Sequence, residues 1–335
     1  MECESKENFI LFHSNAMYSL KRGRYFEMNV QDRFDDTPAE SSTTKGKVIA
    51  IAEVVIVRFV LYALVALAIL QVIYGSPNPD PIPLEAPYII GALWFLFPIV
   101  MIIGFRRNMK DYGLSREGIP QNVDLALSAF GFFILTNVGF IIILMAGWSY
   151  LEPTGALLLT GVFGVSLILI VRLIFQKYRD FEGIQIPIRK HQTNMLLILG
   201  LLLLPIILGV ILNRLTIELI STVIWQFIFS GFGEEIFFRG YIQSRLNVAF
   251  GRPYEWKSIR FGMGLYITAG LFAVTHMLNT ANIWFGDFNL AWWWGTFTFV
   301  GGLLFGLIRE KTNSVVASGT LHGLEAVGEG LGLLF

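Results

Sequence analysis

The chain has 335 residues, of which 54% are hydrophobic and only 15% are charged, and its mean hydropathy is +0.61. A soluble domain carries about 25% charged residues, so this composition excludes an ordinary water-soluble globule. The 25 basic and 25 acidic residues cancel, which excludes a basic nucleic-acid-binding domain, and the single cysteine excludes a disulfide framework. The composition predicts a membrane protein.

Residues 1–47 are polar, so we expect a cytosolic, partly disordered tail and no N-terminal signal peptide of the usual form. A transmembrane helix needs about 17–25 apolar residues. Apolar runs lie at 48–74, 86–105, 125–148, 155–175, 195–212, 217–233, 261–278, 288–308 and 314–335. Because the runs at 217–233 and 261–278 are short, eight spans is the alternative count. The sequence predicts an all-α, polytopic transmembrane helix bundle of about nine spans.

The basic residues indicate the orientation of the bundle. Most of the 25 Lys and Arg residues lie in the tail and at 106–116, 177–190, 239–260 and 309–311, while the loops at 75–85, 149–154 and 279–287 carry none. If nine spans alternate, these basic segments share one side of the membrane. The positive-inside rule then predicts a cytosolic N-terminus.

Ionisable residues inside membrane helices are costly and are candidates for function. In the first run, Glu53 and Arg58 are five residues apart, and we expect both to be structural, reaching the inner interface. The other candidates are Arg172, near the end of the fourth run, and a group in the last third of the chain, namely Glu234, Glu235, Arg239, His276, His322, Glu325 and Glu329.

The segment 231-GFGEEIFFRGYIQSRL-246 places two carboxylates side by side. On a helix, Glu235 and Arg239 are i,i+4 neighbours in the favourable Glu-first order. Glu234 projects about 100° away from Glu235, because an α-helix has 3.6 residues per turn. One carboxylate is therefore neutralised by the guanidinium, and the other remains free for chemistry.

Two histidines, His276 and His322, lie in apolar surroundings on the seventh and ninth runs. A carboxylate with two imidazoles activates water by general base catalysis or holds a metal ion such as zinc. If a metal is present, Glu234, His276 and His322 would be its ligands. No HExxH motif occurs, and a metal-free glutamate base fits equally well.

These residues resemble the three-motif signature of the CPBP (Abi, CAAX-prenyl-protease-like) family of intramembrane peptidases, over about residues 195–335. The motifs are Glu234-Glu235-x-x-x-Arg239 followed by Gly240, then Phe272-x-x-x-His276, then His322 after 301-GGLLFGLIREKTNSVVAS-318.

The resemblance implies catalytic roles for five residues. Glu234 would activate the hydrolytic water, and His276 would help to hold that water. Glu235 and Arg239 would be the supporting pair. His322 would stabilise the oxyanion that develops at the scissile carbonyl.

The sequence departs from the family pattern in the third motif, where a polar residue usually lies four positions after the histidine. Here that position is Ala326. A missing oxyanion donor costs about 10²–10³ in rate. Either Asn279, which resembles an asparagine often seen after the second motif, or Glu325 substitutes, or His322 acts alone, or the chain is a weak catalyst.

The depth of the residues adds a structural expectation. Glu234 lies near the cytosolic end of the sixth run and His276 near the outer end of the seventh. They meet if the sixth helix continues past Arg239, which the apolar pattern of 234–247 favours over a steep tilt of both helices.

The leading hypothesis is an endopeptidase of the cell membrane, multi-pass, acting on a membrane-associated peptide or protein, with membrane lipid and no nucleic acid as partners. Its cofactor is either none or a divalent metal. The alternatives are a non-catalytic scaffold or immunity-type protein that retains the fold, and a proton-coupled transporter. We expect a tail at 1–47, a four-helix membrane region at 48–194 and a catalytic core at 195–335.

Overall fold

The computed structural model describes residues 43–335, which are almost entirely helical. The helices are α1 (Thr44–Tyr74), α2 (Ala86–Gly104), α3 (Ile119–Met145), α4 (Pro153–Lys177), α5 (Ile188–Ile211), α6 (217–250), α7 (Met263–Met277), α8 (Trp292–Thr312), α9 (Val315–Gly323) and α10 (Glu325–Gly332). The strands β1 (Tyr254–Trp256) and β2 (Ile259–Phe261) form a short antiparallel hairpin that the sequence did not predict. The expected tail falls mostly on residues 1–42, outside the described part.

The predicted all-α membrane fold is confirmed. Each apolar run coincides with a helix, and the last run is divided between α9 and α10. Helices α1 to α5 are each long and apolar enough to cross a membrane. In the most apolar window of α5, only 22% of the residues are buried inside the protein, so most of this helix faces outward. A membrane helix with such an apolar exterior is solvated by lipid. The full number of spans stays a prediction.

Local signals explain where several helices begin and end. The Thr43 hydroxyl accepts a hydrogen bond from the Gly46 amide at 3.1 Å, so α1 begins four residues before its apolar run. Ser314 caps α9 through the Val316 amide at 3.2 Å. Between α8 and α9, Asn313 adopts a left-handed conformation with φ of 51°, which ends α8 and reverses the chain within two residues.

Helix α6 is continuous from residue 217 to residue 250, which confirms that it extends past Arg239. Its middle contains two π-helical stretches, Trp225–Glu234 and Ile236–Gln243. A third π-helical stretch, Ile56–Leu61, lies within α1. π-Helical turns occur frequently at functional sites because the wider turn redirects side chains. The extension places Glu234 near the middle of a long helix.

Close helix packing brings α6 against α9. A Cβ atom added to Gly231 on α6 would lie 2.4 Å from the Gly323 Cα atom on α9. Only glycine at both positions permits this approach. Gly231 lies one turn before Glu235, and Gly323 directly follows His322, so the contact fixes the distance between the first and third motifs.

Candidate active site

The adjacent carboxylates of Glu234 and Glu235 face different surroundings. Glu235 forms an ion pair with Arg239, with 2.7 Å between Oε1 and Nη1, and both side chains are fully buried. The guanidinium of Arg239 also packs on the ring of Phe272, with Cζ 4.3 Å from the ring centroid. Glu234 instead lines a cavity, and its Oε2 atom has no hydrogen-bond partner within residues 43–335. The predicted pairing of Glu235 with Arg239 is therefore confirmed.

The imidazole of His322 lies between the two carboxylates. Its Nδ1 atom is 3.1 Å from Oε1 of Glu235, and its Nε2 atom is 3.9 Å from Oε2 of Glu234. An ionised carboxylate only accepts hydrogen bonds, so Nδ1 is the donor to Glu235. In a neutral imidazole this leaves Nε2 as an acceptor on the Glu234 side. Glu235 thus links Arg239 to His322 and fixes the orientation of the ring.

His276 enters the same cavity from the end of α7. Its Nδ1 atom donates to the Phe272 carbonyl at 2.9 Å, because a carbonyl oxygen cannot donate. Its ring packs against Phe272 and against Trp294, with centroid separations of 4.5 Å and 5.4 Å. The hydrogen bond fixes Nδ1 as the protonated nitrogen of the neutral ring. Nε2 is then the acceptor nitrogen.

The cavity that these residues share has a volume of about 670 Å³. The acidic, basic and histidine side chains of its wall come from α1, α6, α7, α9 and α10, and they are Arg58, Glu234, His276, His322, Glu325 and Glu329. Glu329 accepts a hydrogen bond from the Gln226 amide. Because α1 contributes to the wall, the site draws on residues from both regions that the sequence analysis separated at 194.

The structure brings Asn279 and Glu325 to the cavity wall as well. Asn279 lies in the short turn after α7, and Glu325 begins α10. Ala326 is fully buried and offers no side-chain donor at the position where the family has a polar residue.

The structural role expected of Glu53 is confirmed, and Arg58 lines the cavity. Glu53 is held in a structural ion pair with Arg107 at 2.6 Å. The Nε atom of Arg58 is buried in the cavity wall, and the reach of Arg58 to the inner interface stays a prediction. The signal that could have found it is the presence of an arginine inside an otherwise apolar run.

The residues were also tested as a metal site. Within the described chain, no three His, Cys, Asp or Glu side chains are grouped so that they could hold a metal ion. The set of Glu234, His276 and His322 is therefore not grouped as a metal centre in this geometry, and metal dependence stays a prediction.

The fold and the site together define a multi-pass membrane protein with a buried glutamate–histidine cavity. Residues 216–327 match the family model described as type II CAAX prenyl endopeptidase, Rce1-like. The match contains all three motifs and confirms the resemblance to CAAX-type proteases. No curated protein and no solved structure matches the chain.

Proposed function

We propose that the protein is a CAAX-type intramembrane endopeptidase that hydrolyses a peptide bond of a membrane-associated protein or peptide. The observation that carries the proposal is the shared cavity. In it, the unpartnered Oε2 atom of Glu234 lies 3.9 Å from Nε2 of His322, and His276 lines the same space. This separation is longer than a hydrogen bond, and one water molecule bound to both atoms would be oriented by them.

Glu234 is the general base in this proposal. Its carboxylate removes a proton from the water as the water oxygen attacks the scissile carbonyl carbon, and it later returns that proton to the leaving amine. The water donates its second hydrogen bond to Nε2 of His322, which orients it, and His276 lines the same space. The oxyanion role expected for His322 stays a prediction, because its Nδ1–H is donated to Glu235.

Glu235 and Arg239 act through His322 in this proposal and do not touch the substrate. The ion pair places one carboxylate oxygen 3.1 Å from Nδ1 of His322, which fixes both the tautomer and the ring plane. This is the arrangement by which a carboxylate orients a catalytic imidazole in hydrolases. We place the protein in the cell membrane, with the peptide bond presented to the cavity from the lipid-embedded surface.

The experiment uses the purified full chain in lipid nanodiscs and a prenylated CAAX-type peptide with a fluorophore and quencher on either side of the scissile bond. General base catalysis contributes about 10²–10⁴ in rate, so Glu234→Gln should lose that factor. His276→Ala should also lose most of the activity. The control is Glu117→Gln, which removes an exposed partner of Lys110 and does not line the cavity.

Unchanged cleavage by both Glu234→Gln and His276→Ala would contradict the proposal. Metal dependence stays a prediction and is tested by titrating the same assay with a chelator and by metal analysis of the purified chain.

The buried Ala326 favours a second candidate, a non-catalytic scaffold that binds such a peptide without cleaving it. In that case the peptide would bind to the wild-type chain and remain intact after prolonged incubation.

A further inference from the structure

The cavity wall contains one cationic side chain, Arg58, that forms no ion pair with a described residue. Among the described residues that line this cavity, Arg58 is the only Lys or Arg. Its Nε atom is buried without a hydrogen-bond partner within residues 43–335. Its guanidinium packs on aromatic rings instead, with Cζ 4.8 Å from the Tyr62 centroid and 5.9 Å from the Phe238 centroid. A charge removed from water is costly unless an opposite charge compensates it.

Arg58 interacts with the groups that are proposed to activate and surround the water. Its charge interacts electrostatically with the carboxylate of Glu234 and with the ring of His276. The Phe238 ring that Arg58 contacts packs edge-on against Phe272, with 5.0 Å between centroids, and Phe272 in turn contacts His276. Arg58 therefore belongs to the same wall as the reacting groups.

The two imidazoles, Ala326 and Glu325 are poor donors to a negatively charged oxygen, and the Asn279 amide, which also lines the cavity, donates hydrogen bonds but carries no charge to balance the oxyanion. In the neutral imidazoles of His276 and His322, the only N–H is already donated, to Phe272 and to Glu235 respectively. Ala326 has no donor. Glu325 accepts hydrogen bonds when ionised and donates only when protonated. A guanidinium carries five N–H donors and is always charged.

We propose that Arg58 is the residue that stabilises the oxyanion formed during peptide hydrolysis in this cavity, taking the place of the donor that Ala326 lacks. The inference rests on the proposed endopeptidase function. It assigns a catalytic group to α1, which lies outside residues 216–327.

Both steps of the proposed hydrolysis, addition of water and release of the amine, conserve charge. The water oxygen forms a bond to the carbonyl carbon, the π electron pair moves to the carbonyl oxygen, and the water proton moves to Glu234. Glu234 becomes neutral as the carbonyl oxygen becomes negative, so Arg58 faces one negative charge before and after attack. When the carbon–nitrogen bond breaks, the pair on oxygen re-forms the carbonyl and the proton moves from Glu234 to the amine.

The experiment compares Arg58→Gln and Arg58→Lys with the wild-type chain in nanodiscs. Loss of an oxyanion donor lowers kcat by about 10²–10³, so Arg58→Gln should show that loss with KM unchanged. Arg58→Lys retains the charge without the planar fork and should recover part of kcat. The matched control is Arg172→Gln, since Arg172 is an exposed arginine of α4 that does not line the cavity.

Binding measurements separate the transition state from the ground state. A phosphinic peptide carries tetrahedral anionic oxygens like those of the addition intermediate, whereas a reduced-amide peptide carries none. Arg58→Gln should lose about 10²-fold or more in affinity for the phosphinic peptide and none for the reduced amide, as expected for an interaction made only in the transition state.

Two outcomes would overturn the inference. A rise in KM with unchanged kcat would make Arg58 a ground-state anchor for substrate, and wild-type kinetics in Arg58→Gln would remove it from the reaction. If Arg58→Gln fails to fold, the apolar variant Arg58→Met is measured in its place, and wild-type affinity for the phosphinic peptide in that variant would overturn the inference. The proposed function is judged separately, from cleavage by the wild-type chain and its loss in Glu234→Gln.

Discussion

Two acidic clusters in the same molecule are built in opposite ways. In the Glu53 cluster (Glu53, Arg107, Tyr241 and Arg245), both carboxylate oxygens are occupied. Arg107 donates to Oε1 at 2.6 Å and to Oε2 at 3.0 Å, Tyr241 donates at 2.7 Å and Arg245 at 2.8 Å. In the cavity cluster (Arg58, Glu234, His276 and His322), Oε2 of Glu234 and Nε of Arg58 have no hydrogen-bond partner within residues 43–335.

The difference indicates which cluster holds the fold together and which is available for chemistry. Burial lowers the pKa of Arg107, yet its hydrogen bonds to Glu53 raise that pKa above its ordinary value, so the pair is firmly ionised. Arg107 and Arg245 lie in different parts of the chain, and Glu53 joins them to α1. The cavity cluster retains uncompensated groups, which is costly to stability and typical of a site shaped for a reaction.

The largest effect on stability is expected at the ion pair that supports the cavity. Glu235→Gln leaves Arg239 fully buried without its counter-charge, and removing one partner of such a pair costs about 3–5 kcal/mol. The Tm of the purified chain should fall steeply. The double variant Glu235→Gln/Arg239→Met should recover much of the loss, whereas equal Tm values in the two variants would contradict the pairing.

A smaller effect is expected where α6 meets α9. In Gly323→Ala, the new Cβ atom would lie 2.7 Å from the Phe227 ring and 3.0 Å from the Phe227 carbonyl oxygen. Overpacking of this kind costs about 1–3 kcal/mol and would move His322 away from Glu235. Cleavage should therefore fall together with Tm. The control Gly131→Ala lies on α3 with no atom within 4 Å of the new Cβ, and it should leave both values unchanged.

Glu53→Gln should destabilise the chain by about 1–2 kcal/mol, since the charged hydrogen bonds that it removes are only partly exposed. The kcat of the remaining folded enzyme should stay at the wild-type value, because the Glu53 cluster does not line the cavity. A selective loss of kcat without a change in Tm would reverse the distinction between the clusters. For comparison, breaking the exposed ion pair of Lys110 and Glu117 should lower the free energy of unfolding by about 0–1 kcal/mol.

The smallest effect on stability is expected for Glu234→Gln, which removes activity. Its Oε2 atom makes no hydrogen bond to a described residue, so neutralising the carboxylate breaks none there. The relief from burying its charge is offset by the loss of the negative charge that faces Arg58, so the Tm should change by less than in Glu53→Gln. A drop as large as that of Glu53→Gln would indicate that Glu234 is a structural residue.

Much of the fold could be predicted from periodicity and composition. The apolar runs located the helices, because lipid requires long apolar segments whose backbone is hydrogen-bonded internally. The i,i+4 spacing of Glu235 and Arg239 predicted their ion pair, because helical geometry alone brings them together. The β1–β2 hairpin was missed, since its three-residue strands carry too little pattern to be recognised.

Long-range partners could not be predicted in this way. The contact of His322 with Glu235 joins residues 87 positions apart, and the Glu53 cluster joins positions 53 and 245. Such contacts depend on how closely two helices approach each other. A glycine such as Gly231 permits a close approach, but the sequence does not show which helix will pack against it. For the same reason, the place of Arg58 in the cavity wall could not be predicted.

Composition and sequence motifs were sufficient to predict a membrane helix bundle and the residues of the three motifs, because local geometry and solvation act over a few turns of helix. The packing of the helices placed Glu235 beside His322 and an arginine of the first helix at the cavity wall, and it left Oε2 of Glu234 without a hydrogen-bond partner among residues 43–335. Those outcomes depend on the packing of helices distant in the chain, where small residues and buried charges select one arrangement from many.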